Sequence, residues 1–147
     1  TWYRFDPAAG ALLTELTLPQ SMYVPAVHGD SVWYRTEDGA QLLDAASGEL
    51  VGDPVNPGPG CCTGPFVSDG AGGVWVMSSP GSGQDPSIWH IDASGAVVER
   101  GTIEDKATYQ EMLGQSYVFD PDTRTIWVQH YEDSIARVGL GVAGEVP

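Results

Sequence analysis

Three short runs in this chain share one pattern, an aliphatic residue, then Trp, then Tyr or Val. They are Val32-Trp33-Tyr34, Val74-Trp75-Val76 and Ile126-Trp127-Val128, with the tryptophans 42 and 52 residues apart. A tight polar turn precedes each run: His28-Gly29-Asp30, Ser68 through Gly73, and Asp120 through Arg124. Downstream lies a second recurring element, a short run ending in Asp, then small residues, Gly and another apolar run. It reads Leu42-Leu43-Asp44-Ala45-Ala46-Ser47-Gly48-Glu49-Leu50-Val51 and again Trp89-His90-Ile91-Asp92-Ala93-Ser94-Gly95-Ala96-Val97-Val98. The first residues, Tyr3 through Leu13, carry it too, and Ile135 through Gly139 is a degraded copy. Asp followed by Gly closes a hairpin because the carboxylate binds its own backbone and Gly accepts positive φ.

Short β-branched and aromatic runs between Gly, Pro, Asp and Ser clusters read as all-β. The one helix expectation is about two turns over Asp105 to Leu113, stopped by Gly114. A unit recurring every ~40–50 residues with four short strands is the signature of a β-propeller blade. Within a unit, strand a precedes the polar turn, b carries the Trp run, c ends at the Asp and d follows the Gly. Residues 1–18 hold only c and d, and further blades are expected at about 19–56, 57–104 and 105–147. Roughly three and a half blades do not close a ring, which takes about four to eight. The expectation is therefore a partial propeller domain over 1–147, completed by remaining blades or by a second chain. A β-sandwich is the alternative. The tryptophans are expected to be blade packing.

Composition narrows the function classes. With 41% hydrophobic residues and five Trp, the chain can build a core, so 19 Gly and 11 Pro do not mean disorder. Twenty acidic residues against six basic ones give a net charge of −14, which repels phosphate backbones and anionic lipid surfaces. No nucleic acid partner is expected. No apolar run approaches the ~20 residues of a membrane helix, so no membrane insertion by this segment is expected. Neither a nucleophile elbow nor a phosphate-cradling loop is present: Pro80-Gly81-Ser82-Gly83-Gln84 lacks the spacing of the first, and Lys106 stands alone for the second.

The motifs bear a family resemblance. Leu43-Asp44-Ala45-Ala46-Ser47-Gly48-Glu49-Leu50-Val51 resembles the c–d turn of quinoprotein-dehydrogenase-like propellers. Val32 through Glu37 and Ile126 through Glu132 are similar to strand b of streptogramin-lyase-like propellers, both bacterial repeat families. The resemblance covers nearly the whole chain and implies architecture, since these are hairpin and core residues that enzymes, sensors and scaffolds share. The Trp that usually follows the quinoprotein c–d turn is missing, as Gly52 follows Val51.

In such a ring the d–a connections and b–c loops share one face. Here they are long: Asp53 to Pro65, Ser78 to Ser87 and Gly101 to Gln115. Long loops on a rigid scaffold are where binding residues gather. Candidate ligand-binding residues are Arg35, Glu37, Asp85, Tyr109 and Tyr131. If the chain is an enzyme, the lyase resemblance implies a divalent ion with His130 and Glu132 as acid–base pair. His28 and His90 read as structural. The turns at Asp69 and at Asp120-Pro121-Asp122 could take Ca²⁺, although plain hairpin turns explain them.

Cys61 and Cys62 are adjacent, a spacing that does not suit tetrahedral zinc. They are two free thiols, bonds to partners elsewhere, or a vicinal disulfide held by Gly58-Pro59-Gly60 and Thr63-Gly64-Pro65. Quinoprotein alcohol dehydrogenases resemble the last case, with such a disulfide against their quinone, while a structural or sensing role is the first reading here. An oxidising compartment, extracellular, cell-surface or periplasmic, fits a joined pair. The expected function is a non-catalytic module binding a protein or small-molecule ligand through its long-loop face. The alternatives are a lyase- or lactonase-like enzyme and a fragment of a quinone-dependent dehydrogenase.

Overall fold

The computed structural model describes residues 2–6, 8–16, 25–58, 61–62, 64–78, 87–102, 117–129 and 135–139. Every regular element among them is a strand, so the all-β reading holds. The helix expected over Asp105 to Leu113 lies outside the described residues.

The strands form four antiparallel sheets, each a meander in chain order. The first pairs β1 (Trp2–Phe5) with β2 (Leu12–Leu16). The second runs β3 (Ala26–His28), β4 (Ser31–Arg35), β5 (Ala40–Asp44), β6 (Glu49–Val55). The third runs β7 (Phe66–Ser68), β8 (Val74–Ser78), β9 (Ser87–Ile91), β10 (Val97–Thr102). The fourth contains β11 (Tyr117–Asp120), β12 (Thr125–Gln129) and β13 (Ile135–Gly139).

Recurring aspartates make the hairpins. Asp6 Oδ1 accepts the Ala8 and Ala9 amides, and Asp44 Oδ1 accepts those of Ala46 and Ser47. Asp92 Oδ1 takes Ser94 and Ala96. The glycine that completes each turn (Gly10, Gly48, Gly95) has positive φ, a region that L side chains avoid. Asp69 and Asp120 play the same part between the first two strands of the third and fourth sheets.

Strand alternation then sorts the side chains between junctions. Ala26, Trp33, Ala40 and Leu42 of the second sheet pack with Phe66, Val74, Val76, Trp89 and Ile91 of the third. The Trp33 indole N–H donates to the Gly72 carbonyl at 2.9 Å, tying β4 to the turn of the next sheet. Val32, Tyr34, Leu43 and Ala45 gather in a separate cluster. On the third sheet's other face, Trp75 meets Phe119 of the fourth, with ring centroids 5.3 Å apart. Nearby, the exposed Arg124 guanidinium pairs with the buried Glu99 carboxylate across the same junction. The second, third and fourth sheets therefore stack face against face, and their first strands are neighbours, β7 lying against β3 and against β11.

Three expectations need correction. Strand β6 continues through Pro54 to Val55, so the loop expected from Asp53 starts at Asn56. Proline is tolerated there because β6 is an edge strand, where a missing N–H need not break a ladder. Likewise β10 reaches Thr102, beyond the expected loop start at Gly101. The tryptophans are not equivalent: Trp33 and Trp75 are 2% exposed, but Trp127 is 40% exposed. Trp127 sits opposite Val118, itself exposed, on the face of the fourth sheet turned away from the buried Ile126.

Candidate functional site

Of the candidate ligand-binding residues, Arg35 and Glu37 lie within the described chain. Arg35 ends β4 and is half-buried, and Glu37 is exposed on the turn to β5. This turn is held by the Thr36 amide and hydroxyl, which both donate to the Gly39 carbonyl (2.8 and 3.1 Å). Gly39 packs its backbone directly on the end of β6, where a Cβ would collide with the Val55 carbonyl. The Arg35–Glu37 turn and the start of the loop after β6 therefore meet at one end of the second sheet. Asp85, Tyr109, His130, Tyr131 and Glu132 lie outside the described residues.

That loop carries the cysteines, and the structure joins Cys61 to Cys62. Gly58 accepts the Cys61 amide at 3.0 Å, and its own amide donates to Asn56 Oδ1. On the far side, the Gly64 amide donates to the Met77 carbonyl at the end of β8. Cys62 is 1% exposed, has φ +64°, and belongs to the core between the second and third sheets, with Cys61 packed at its margin. Gly58 lies on Trp89: a Cβ there would stand 3.1 Å from Cζ2 of the indole. The Trp89 indole N–H is buried and has no partner among the described residues. The Arg100 guanidinium covers the ring, 4.7 Å from its centroid. Of the two cysteines, Cys62 is taken up in core packing and Cys61 is the more exposed.

His90 shows how a histidine is satisfied inside such a scaffold. Its Nε2 is 2.8 Å from Asp69 Oδ2, and its ring stacks on Trp75 with centroids 4.4 Å apart. Asp69 is thereby used twice, since its Oδ1 already holds the Ala71 and Gly73 amides. This is the structural role expected of His90. His28 is exposed at the end of β3.

The turn carboxylates are also engaged locally. The Thr123 hydroxyl, followed by backbone amides of the same turn and the Trp127 side chain, holds Asp120 below the usual carboxylate range. The Ser94 hydroxyl does the same for Asp92, with help from the Ala96 and Ser94 amides. These oxygens close hairpins, and no three His, Cys, Asp or Glu converge on a metal-sized site among the described residues.

No protein-family model and no curated protein matches this chain. The chemistry at the loop end must therefore be read from its residues. Two contacts carried no sequence signal. The Asp69–His90 pair joins residues 21 apart through strand pairing within the third sheet, and Arg124–Glu99 joins residues 25 apart where the third and fourth sheets stack. Gln41 could have been suspected, as a polar residue in an apolar run. It is buried, and its Nε2 donates to the carbonyls of Leu42, Val51 and Gly52, satisfying the irregular register of β5 and β6.

Proposed function

We propose that this chain is part of a β-propeller acting as a non-catalytic binding module, extracellular, on the cell surface or periplasmic. It takes a protein or small-molecule ligand on the end where the Arg35–Glu37 turn and the loop after β6 meet. The observation that carries this reading is the face-to-face stacking of two four-stranded meanders and a three-stranded one, with β7 adjacent to both β3 and β11. A sandwich would gather these strands into two sheets, whereas they form four. Further blades or a second chain would cover the exposed face at Val118 and Trp127. Stable hairpins populate the opposite end, so recognition falls to the longer loops.

The test is site-specific photo-crosslinking in producing cells, with the crosslinker at Glu37 in one variant and at Ser47 in another. Glu37 is on the proposed binding end, and Ser47 is on an exposed c–d hairpin. A discrete adduct from Glu37 and none from Ser47 is expected. An adduct from Ser47 alone, or from neither, contradicts the assignment of the binding end.

A further inference from the structure

The Cys61–Cys62 bond combines three observations that a plain cross-link does not require. First, a bond between neighbours closes almost no loop, so the chain-entropy stabilisation of a long-range disulfide is small here. Second, Cys62 holds positive φ, one of two non-glycine residues to do so among the described residues. That conformation is unfavourable for an L-residue and persists where its surroundings enforce it. Third, the same turn seats Gly58 on Trp89, whose buried N–H has no partner among the described residues.

We propose that this disulfide is a reversible thiol–disulfide switch, opened by a soluble dithiol, which lifts Gly58, Cys61 and Cys62 from the sheet junction and uncovers Trp89. The two sulfurs are unequal: Cys61 is partly exposed, whereas Cys62 is buried. A dithiol thiolate attacks Cys61 Sγ, forming a mixed disulfide and expelling the Cys62 thiolate. The second dithiol sulfur then closes the reagent's own disulfide and releases the Cys61 thiolate. Two electrons and two protons pass from the dithiol to the two cysteines, and the reagent leaves oxidised.

The structural response follows from where the charge and the torsion lie. A thiolate emerging in an apolar core is destabilised until it takes up a proton or reaches water. With the S–S bond open, Cys62 is free to leave the left-handed region. Moving the turn breaks the Cys61–Gly58 hydrogen bond and takes Gly58 off the indole. The Trp89 N–H then gains water as a partner, which offsets part of the lost packing. This inference does not depend on the propeller reading, because it concerns one turn and the junction beneath it.

The experiment uses the intact oxidised protein, dithiothreitol as reductant and no denaturant. Thiols are counted by alkylation and intact mass while tryptophan emission is followed. Two alkyl groups are expected, with a red shift in emission that diamide reverses. Reduction should be on the order of tenfold or more faster than global unfolding, as local opening demands. In Trp89→Phe the two alkyl groups remain and the red shift is lost. Reduction no faster than unfolding overturns the proposal, as do alkylation without an emission change and an undiminished shift in Trp89→Phe. Should Trp89→Phe fail to fold, amide exchange of the wild-type protein decides. Faster exchange at Cys61 and Gly64 after reduction supports the switch, and unchanged exchange contradicts it.

Discussion

Trp33→Ala is expected to lower the unfolding free energy by about 3–5 kcal/mol, the range for emptying a buried aromatic site. That is a large share of the ~5–15 kcal/mol typical of a domain. Trp33 is 2% exposed at the junction of the second and third sheets, so its removal leaves a cavity where the two must stay together. A further loss falls on the Gly72 carbonyl, which accepts the indole N–H. Trp33→Phe separates the two contributions. It keeps most of the packing but strands the carbonyl, and should cost about 1–3 kcal/mol. Trp127→Ala, at a position 40% exposed, should cost clearly less than Trp33→Ala, since less of its side chain leaves water on folding. Chemical denaturation of the three variants checks the ranking, and equal losses at Trp33 and Trp127 would contradict the junction described above.

Gly73→Ala is the second large effect, and its cause is space. A methyl group there would collide with Asp69 Oδ2 and lie 2.5 Å from the Ile91 carbonyl and 2.9 Å from Asp92 Cα. The carbonyl and Cα are backbone and cannot turn aside, while the carboxylate is held by His90 and by its own turn. Overpacking together with a weakened charged hydrogen bond puts the expected loss at about 3 kcal/mol or more. Gly70→Ala, three residues earlier, is the control. Its Cβ meets nothing within 4 Å, so only the positive φ counts, at about 1–2 kcal/mol. Denaturant midpoints, with His90 ring resonances as a local reporter, distinguish the two. A Gly73→Ala protein as stable as Gly70→Ala, with His90 unmoved, would contradict the geometry.

How much of this was legible in the sequence depends on whether the cause is local. The hairpins were, because Asp6, Asp44 and Asp92 bind amides two to four residues away and their glycines need no distant partner. The strands around Trp33 and Trp75 followed from the same punctuation. The fate of each Trp did not, since identical local patterns place Trp33 inside a junction and Trp127 on an open face. The extension of β6 through Pro54 depends on its being an edge strand, which pairing decides. At the loop end, adjacency of the cysteines left their state open. What the structure adds is the burial of Cys62 and the contact of its turn with Trp89, both consequences of the second and third sheets meeting.

If the second and third sheets are neighbouring blades of the proposed propeller, they diverge from their adjacent first strands. Spin labels at Val27 on β3 and Ser68 on β7 report the inner strands. Labels at Leu50 on β6 and Val98 on β10, both exposed, report the outer ones. A clearly shorter inner distance than outer distance, measured by electron paramagnetic resonance, is the expected result. Equal distances, as in two sheets stacked flat, or a shorter outer distance would contradict it.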